Sequence, residues 1–339
     1  MKCIRTEDAV GHVLCHDMTQ IIKGSYKDAR FRKGHIVQPE DIPVLLSMGK
    51  EQLYVWEMEP GMVHENDAAE RLCAICMGEH MRRSQVKEGK IELTADCDGL
   101  FQVDVERLDA INLLEDIMIA TRHGGTGVRA GDKLCGTRVI PLVIQEERLR
   151  AAEEIAGDKP LLSLTPYRLK TAAVITTGSE VYKGLIQDTF TPVIEEKLRP
   201  YGITMTEHAV VSDDMDMTAG AIAQARAAGV DLILCTGGMS VDPDDNTPGA
   251  IKKSGARIVT YGAPVLPGAM FLLGYFEDGT PIMGLPGCVM YAGATIFDLV
   301  LPKAAAGVEI TRQEIARLGN GGLCLGCGDC RYPVCPFGK

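Results

Sequence analysis

The chain of 339 residues has few aromatic side chains, no excess of positive charge and no apolar run of membrane-spanning length. Aromatic residues make up 5% of the sequence, so we expect a mainly aliphatic core. The net charge of −11 argues against nucleic acid or an anionic membrane surface as the main partner. The longest apolar stretch, near 289–301, is too short to cross a bilayer. The first residues lack the apolar segment of a signal peptide, and we therefore expect a cytoplasmic protein.

The remaining composition, 46% hydrophobic and 24% charged, is that of a globular protein with room for roughly two domains. We predict an N-terminal α+β domain over 1–156, a linker over 157–168 and an α/β domain over 169–307. A C-terminal helix and a short cysteine-rich tail are predicted over 308–339. The predicted fold class is therefore α/β, with a doubly wound, mostly parallel sheet in the C-terminal domain.

In the first half, short segments with the apolar spacing of strands alternate with segments of helical spacing. Strands are predicted at 52–56, 90–94, 100–105 and 139–144. Helices are predicted at 68–82, 105–114 and 145–155. A glycine loop at 124–127 lacks the strand-then-helix setting of a dinucleotide-binding loop.

The second half has the pattern of a parallel sheet covered by helices on both faces. Nearly continuous apolar strands are predicted at 171–177, 203–211 and 231–236. The intervening helices are predicted at 190–198 and, with Asp216 as the N-cap, at 216–228. A hairpin over 271–276 and 281–285 follows, and then a long helix from about Cys288 to Leu301.

Three strand ends of this half carry glycine-rich loops, and ligands bind at the carboxyl ends of strands in such sheets. Glycines let backbone N–H groups approach an anion closely, and a helix N-terminus adds positive partial charge. Together the loops predict a pocket of the size of a phosphate group. The candidate binding residues are Thr177, Gly178, Ser179, Gly237, Gly238, Met239, Ser240, Pro286 and Gly287. For Thr177 and Ser179, the alternative is that they only stabilise the turn.

Acidic residues in the same loops would repel a phosphate unless a divalent cation lies between them. Mg²⁺ held by one or two carboxylates and completed by phosphate oxygens reconciles the two charges. We take Asp245, Glu180 and Asp188 as candidate catalytic carboxylates, with Asp245 and Asp188 as the magnesium ligands. For Asp242 and Asp244, the alternative is a solvated turn that caps the following helix.

Four of the twelve cysteines lie near the end of the sequence, at Cys324, Cys327, Cys330 and Cys335. Their spacing is C-x2-C-x2-C-x4-C, and the glycines and prolines between them leave little apolar material for a core. Four thiolates at such spacing suit a zinc ion, and the last gap is one residue longer than in a ferredoxin motif. The tail therefore predicts a zinc or iron–sulfur site. The alternatives are a redox-sensitive tail and an inert tail.

Three motifs of the second half resemble one known superfamily. They are Thr177-Gly-Ser-Glu180 with Asp188-Thr189, Gly237-Gly-Met-Ser-Val241 with Asp245, and Gly284-Leu-Pro-Gly287. In this order at strand ends, they resemble the molybdopterin-binding domain shared by bacterial MoeA, MogA and gephyrin. The resemblance covers 169–307 and favours MoeA, to which residues 6–14 are also distantly similar. The segment Pro243-Asp-Asp-Asn-Thr-Pro248 is similar to MogA and CinA-like proteins.

The resemblance to MoeA implies a fold, a reaction and a set of site residues. It implies the molybdopterin-binding fold and a homo-oligomer, either a dimer or a trimer. The implied reaction inserts molybdate into the dithiolene of adenylated molybdopterin and releases AMP with the aid of a divalent cation such as Mg²⁺. The implied partner is thus a small pterin phosphate. Glu180 and Asp245 match acidic active-site positions of the family, and Asp188 matches the acidic end of the first motif.

Two departures from the family pattern leave other functions open. Leu266 and Ala269 stand where MoeA proteins typically have the lysines of Lys-Pro-Gly-Lys-Pro. The motif Ser-x-x-Asp-Gly-Tyr-Ala of the MoeA N-terminal region has no clear match in this sequence. One alternative is a non-catalytic carrier or sensor of molybdenum cofactor whose cysteine tail binds a metal. Another is a nucleotide pyrophosphatase or amidohydrolase of the CinA type.

Overall fold

The protein divides into two compact units in a computed structural model that describes residues 2–22, 26–55, 60–240 and 245–339. The first unit comprises residues up to 96, 103–122 and 131–163, and the second comprises 97–102, 123–130 and 164–339. Trp56 of the strand predicted at 52–56 lies outside the described residues, as do Asp242 and Asp244 of the acidic loop. No helix in the described ranges is long and apolar enough to cross a membrane.

The chain up to residue 166 alternates short strands with four α-helices in its described part. The strands are β1 (Lys2–Arg5), β2 (Met18–Ile22), β3 (Tyr26–Phe31), β4 (Gln52–Val55), β5 (Met62–His64), β6 (Met81–Arg83), β7 (Lys90–Ala95), β8 (Gly99–Val103), β9 (Ile117–Thr121), β10 (Thr126–Val128), β11 (Lys133–Val139), β12 (Val143–Gln145) and β13 (Leu162–Pro166). The helices are α1 (Asp41–Ser47), α2 (Glu65–Cys76), α3 (Val105–Asn112) and α4 (Glu146–Ala156). The α+β character predicted for this part is confirmed.

Helix α2 differs from its predicted bounds of 68–82 at both ends. It starts earlier because His64 is its N-cap, and the His64 ring accepts the N–H of Asn66 at 3.1 Å. It ends earlier because residues 81–83 form β6, the edge of the antiparallel sheet β6-β7-β11-β9.

The stretch 157–168, expected to be a linker, contains strand β13. This strand belongs to a three-stranded sheet with the order β10-β8-β13. Leu162 and Leu164 of β13 are buried, and a Cβ atom on Gly99 of β8 would lie 2.5 Å from the carbonyl oxygen of Thr165. Tight packing thus gives this stretch regular structure.

The second unit is built on a six-stranded sheet. Its strands are β14 (Thr171–Thr177), β15 (Thr204–Val211), β16 (Leu232–Thr236), β17 (Arg257–Tyr261), β18 (Leu272–Tyr275) and β19 (Pro281–Leu285). Its helices are α5 (Ser179–Tyr182), α6 (Phe190–Leu198), α7 (Met215–Ala227), α8 (Thr247–Lys253), α9 (Ile296–Ala305) and α10 (Arg312–Arg317). The order is β15-β14-β16-β19-β18-β17, and the first four strands are parallel. The predicted α/β class with a mostly parallel sheet and a β18–β19 hairpin is confirmed.

Both faces of the sheet are buried, which explains the nearly continuous apolar strands. Val174 of β14 packs on one face with Ile194 of α6 and Phe297 of α9. Its neighbour Ile175 packs on the other face with Ile222 of α7. Successive residues of a strand point to opposite faces, so a strand covered on both sides needs apolar residues at every position.

The long helix predicted from Cys288 to Leu301 is wrong in its first half. Residues Gly287–Met290 form a 3₁₀ turn, and α9 begins only at Ile296. Thr295 and Asp298 set this start, because the Thr295 hydroxyl accepts the N–H of Phe297 and the Asp298 carboxylate accepts the N–H of Thr295 at 2.7 Å.

The N-cap predicted for the helix at 216–228 is also displaced by two residues. Helix α7 begins at Met215, and Asp214 rather than Asp216 caps it. The Asp214 carboxylate accepts the N–H groups of Asp216 and Met217 at 2.9 and 2.8 Å.

The C-terminal tail supplies a hydrogen bond that helix α9 lacks. Pro302 lies inside α9 and has no N–H to donate to the carbonyl of Asp298 one turn earlier. The hydroxyl of Tyr332 in the tail donates to that carbonyl at 2.9 Å. The side chain of Phe337 is buried nearby in the core. The tail is therefore part of the second unit's core.

We expect Tyr332→Phe to lower the free energy of unfolding by about 1–2 kcal/mol, because it leaves the Asp298 carbonyl without a donor. In a Pro302→Ala background the new N–H can replace the lost donor, so the same change should cost less than half as much. Urea denaturation of the four proteins measures both costs. Equal costs in the two backgrounds would show that the tail hydroxyl does not compensate for the proline.

Candidate functional site

The three glycine-rich loops follow three neighbouring parallel strands. β14 pairs with β16 and β16 with β19, and Thr176, Thr236 and Leu285 are successive partners across these strands. Adjacent strands lie about 5 Å apart, so the loops leave the same edge of the sheet side by side. The chain order of the strands reverses between β14 and β16, which is where ligands bind in this class of sheet.

Hydroxyl groups join the first loop to the second. The Thr177 hydroxyl donates to the carbonyl of Thr236 at 3.1 Å and lies 3.2 Å from the hydroxyl of Thr247. The Thr247 hydroxyl donates to the carbonyl of Gly237 at 2.9 Å. Thr177, a candidate ligand-binding residue, is thus engaged in holding the two loops together.

The second loop approaches the first so closely that only glycine fits at two positions. A Cβ atom on Gly237 would lie 2.2 Å from the carbonyl oxygen of Thr177, and one on Gly238 would lie 2.8 Å from the Thr247 hydroxyl. Both glycines also have positive φ angles, +82° and +56°. The pair is therefore required by packing and by backbone conformation at the same time.

Met239 and Ser240 take different positions after these glycines. The Met239 side chain is 4% exposed and packs against Gly284, where a Cβ atom would lie 2.5 Å from its sulfur. Ser240 is exposed. The hydroxyl of Tyr261 in β17 donates to the carbonyls of both residues, at 3.1 and 3.2 Å. Met239 therefore presents its backbone rather than its side chain to the edge of the sheet.

Two candidate backbone donors of the first loop are already engaged. The N–H of Gly178 donates to the carbonyl of Val211 at 3.1 Å, and that of Ser179 donates to the Asp213 carboxylate at 2.8 Å. Within the described part of the chain, the N–H groups of Gly238, Ser240 and Gly287 have no acceptor. These three groups are available to an anion.

Asp188 is fully occupied within its own loop. One carboxylate oxygen accepts the N–H groups of Phe190 and Thr191, and the other accepts the hydroxyls of Thr176 and Thr191 at 2.8 and 2.6 Å. Burial alone would raise the pKa of Asp188, but these hydrogen bonds outweigh burial and lower the pKa below its usual value. Asp188 is thus charged, and its four lone-pair positions are used.

Glu180 and Asp245 are the two other candidate carboxylates, and Glu180 is the exposed one. Glu180 is exposed on α5, and its carboxylate has no hydrogen-bond partner among the residues that the structure describes. Asp245 lies near Tyr261: burial raises the pKa of the Tyr261 hydroxyl, and the Asp245 carboxylate raises it further. Asp245 therefore lies near the second loop, whose backbone carbonyls Tyr261 holds.

Asp213 is a site residue that sequence reasoning missed. Its carboxylate accepts the N–H of Ser179, and its carbonyl accepts the side-chain amide of Asn246 at 2.9 Å. It thereby links the first loop to the segment that carries Asp245. The available signal was its position two residues after strand β15, at the same edge of the sheet.

A magnesium ion would find few ligands among these side chains. Over residues 2–22, 26–55, 60–240 and 245–339, no three His, Cys, Asp or Glu side chains lie close enough together to hold a metal ion. Single carboxylates such as Asp245 fit only a cation whose remaining ligands come from substrate phosphate and water.

The third loop turns sharply after Pro286 and contacts the first. The 3₁₀ turn at Gly287–Met290 follows Pro286, and the Thr189 hydroxyl donates to the Met290 sulfur at 3.0 Å. With four residues, this turn lacks the dipole of the long helix expected from Cys288. Its contribution to anion binding is limited to single N–H groups.

Thr236 is a second residue that sequence reasoning passed over. Its side chain is fully buried at the end of β16, yet its hydroxyl has no hydrogen-bond partner among the described residues. A buried hydroxyl without a partner is costly and is typical of a group that serves a ligand or an ordered water.

The segment that lacks the family's lysines is bonded to the cysteine tail. The N–H of Leu266 donates to the carbonyl of Gly322 at 2.8 Å, and the N–H of Cys324 donates to the carbonyl of Leu266 at 2.8 Å. The cation found near the third loop, Lys197, donates to the carbonyl of Gly293 and is paired with Asp298 at 2.7 Å. Its charge is therefore neutralised.

The four tail cysteines lie in a closed loop as free thiols, and no three of them lie close enough together to hold a metal ion in this arrangement. The N–H of Gly338 donates to the carbonyl of Gly321 at 2.9 Å, so the two ends of the tail meet. Cys330 packs on Gly293, where a Cβ atom would lie 2.8 Å from its sulfur. Cys327 and Cys330 are exposed, whereas Cys324 and Cys335 are half-buried. The tail thus lies against the segment that follows the third loop.

Two family models match parts of the chain. Residues 173–306 match the model described as a probable molybdopterin binding domain. Residues 3–57 match a domain of unknown function (DUF8806). The first match covers β14 to α9 and therefore includes all three loops.

The curated proteins that the chain resembles include a molybdenumtransferase and a CinA-like protein. It is 24% identical over 305 residues to a molybdopterin molybdenumtransferase of Staphylococcus epidermidis, covering 84% of this chain and 66% of that protein. It is 35% identical over 86 residues to a CinA-like protein of Desulfosudis oleivorans, covering 25% of this chain and 21% of that protein. The chain thus spans about a fifth to two thirds of these relatives.

Among solved structures, the molybdopterin biosynthesis enzyme MoaB of Thermus thermophilus is 22% identical, with a TM-score of 0.33. The match covers 40% of this chain and 91% of that one. The strand-end motifs and the family model thus place the molybdopterin-binding domain at residues 173–306, in a chain that is similar over 305 residues to a molybdopterin molybdenumtransferase.

Proposed function

We propose that the protein binds adenylated molybdopterin and inserts molybdate into its dithiolene with release of AMP. The observation that carries this proposal is the convergence of the three loops at one sheet edge. A role in molybdenum cofactor biosynthesis follows from the domain at 173–306. The adenylated substrate, the release of AMP and the divalent cation are proposals.

The phosphate groups of the substrate would lie over the second and third loops. The N–H groups of Gly238, Ser240 and Gly287 have no acceptor in the described ranges, and the two glycine N–H groups can approach an anion closely. The buried hydroxyl of Thr236 at the same edge is a further donor without a partner there. Thr177 and Thr247 would fix the shape of the site rather than contact the phosphate.

The candidate carboxylates would have two roles: Asp245 and Glu180 would serve the pyrophosphate of the adenylated substrate, and Asp188 would position the first loop. Asp245 and Glu180 would help to hold a divalent cation, which would neutralise the phosphate charge when bound. Asp188 already accepts four hydrogen bonds from residues of its own loop and strand. We assign it to positioning the first loop, although the sequence makes it a candidate metal ligand.

A second candidate function is a carrier or sensor of molybdenum cofactor. The observation that favours it is the bonding of Leu266 to the cysteine tail, because the segment presents neither lysine and is held by backbone hydrogen bonds to Gly322 and Cys324. A protein of this kind would bind the pterin without cleaving it. Its tail thiols would bind zinc or an iron–sulfur cluster beside the third loop.

Asp245→Asn should reduce AMP release from adenylated molybdopterin by about 100-fold or more, because the amide is a poor ligand for a hard divalent cation. Single-turnover assays with molybdate and Mg²⁺ measure this rate. Asp278→Asn, in the β18–β19 hairpin, is the matched control and should leave the rate unchanged. Unchanged AMP release by Asp245→Asn would remove this carboxylate from the mechanism.

The same assay on the unaltered protein separates the candidate functions. Pterin binding with AMP release supports the transferase, and pterin binding without AMP release supports the carrier. Turnover of a dinucleotide without any pterin binding would support the CinA-type alternative and contradict both.

Gly237→Ala should weaken molybdopterin binding by tenfold or more, because its Cβ atom must push the second loop away from the carbonyl of Thr177. Gly220→Ala is the matched control: Gly220 lies in α7 with open space around its Cβ position, and alanine favours a helix. Titration of each variant with molybdopterin gives the affinities. Equal affinities would indicate that the two loops do not form the binding site.

Changing Cys327 and Cys330 together to serine should lower the zinc or iron content of anaerobically purified protein by at least half, because two of four thiolate ligands are lost. The double variant of Cys3 and Cys97 to serine is the control. Elemental analysis with an absorption spectrum measures metal content and type. Equal metal content in both double variants would exclude the tail as a metal site.

A further inference from the structure

A cavity of about 390 Å³ lies in the second unit among residues that the strand-end site does not use. One wall is formed by residues 123–126, which include the start of the glycine loop, and another by the end of the tail at 332–339. The floor is formed by α9 and α10. The volume falls within the range of small-molecule pockets, about 300–1,000 Å³, near its lower end.

The floor of the cavity is apolar. Val300 of α9, Ile315 of α10 and Phe337 of the tail line it, and each is at most 3% exposed. The rings of Tyr332 and Phe337 pack edge to face, 6.2 Å apart, along the tail wall. Such a floor favours the apolar or aromatic body of a ligand.

Among the residues that line the cavity, basic side chains outnumber acidic ones, although the whole chain is acidic. Lys303, Arg317 and Lys339 line the cavity together with His123. Glu314 is the acidic side chain among the lining residues, and it is engaged: it pairs with Lys303 and accepts the N–H of Thr311. Buried surroundings would raise the pKa of Glu314, but these bonds outweigh them and lower it.

Arg317 is the group most available to a ligand. It is exposed on the last turn of α10 and forms no ion pair with any residue in the described ranges. An arginine placed beside an apolar floor binds carboxylate, sulfonate or phosphate groups through two parallel hydrogen bonds.

We propose that this cavity is a second ligand site, which takes a small amphipathic anion. The apolar or aromatic body of the ligand lies on Val300, Ile315 and Phe337, and its anionic group is bound by Arg317. Since Tyr332 and Phe337 form one wall, an occupied cavity also holds the tail in place. The site is separate from the three loops, and it does not depend on the proposed transferase or carrier function.

The probe for the test is 8-anilinonaphthalene-1-sulfonate, an aromatic sulfonate whose fluorescence rises in an apolar site. Titration of the full chain should give saturable binding, and Arg317→Glu should weaken it by tenfold or more because the variant repels the sulfonate. Arg312→Glu, at the first residue of the same helix and outside the cavity lining, is the matched control and should change the affinity less than twofold.

Asn320→Trp adds a second test that does not depend on charge. Asn320 lines the cavity and is exposed, so an indole ring there can fill the cavity without disturbing the core. We expect it to abolish saturable binding of the probe while the urea midpoint of unfolding is unchanged. Equal affinities for Arg317→Glu and Arg312→Glu, or full binding by Asn320→Trp, would overturn the proposal.

Discussion

The close approach of Gly237 to the carbonyl of Thr177 is the contact on which the strand-end site depends. This contact requires β14 and β16 to be adjacent and parallel. It also brings the hydroxyls of Thr177 and Thr247 close enough to join the first loop to the second. With these groups engaged in structure, backbone N–H groups such as those of Gly238, Ser240 and Gly287 are left for an anion. A neutral, preformed set of donors binds a phosphate without the desolvation cost of buried lysines.

The acidic groups divide into those that build the site and those that face it. Asp188 and Asp213 each accept backbone or hydroxyl donors and so fix the first loop and its link to Asn246. Glu180 is exposed and has no such partner among the described side chains. Hydrogen bonds within the loops stabilise the charge of Asp188 and occupy its oxygen atoms, so this carboxylate serves the loop and is not available to a ligand.

The loops could be located from the sequence because the strands that precede them have a clear apolar pattern. The apolar runs that end at Thr177 and Thr236 are buried on both sheet faces, which leaves little freedom in strand assignment. The positions of individual side chains were harder to predict. Met239, for example, follows a loop glycine, yet it packs inward against Gly284 of another strand. The helix expected from Cys288 was wrong for a related reason, because Thr295 and Asp298 cap a helix that starts later. The carbonyl of Asp298, which Pro302 leaves without an N–H donor, is bonded by the hydroxyl of Tyr332, more than thirty residues away.

The proposed function requires the three loops together to form one cradle for a phosphorylated pterin. Amide hydrogen exchange measured with and without molybdopterin tests this requirement. We expect slower exchange on ligand addition at 178–180, 237–240 and 287–290, with the β18–β19 hairpin unaffected. Slowing confined to one of these loops, or found only elsewhere in the chain, would contradict it.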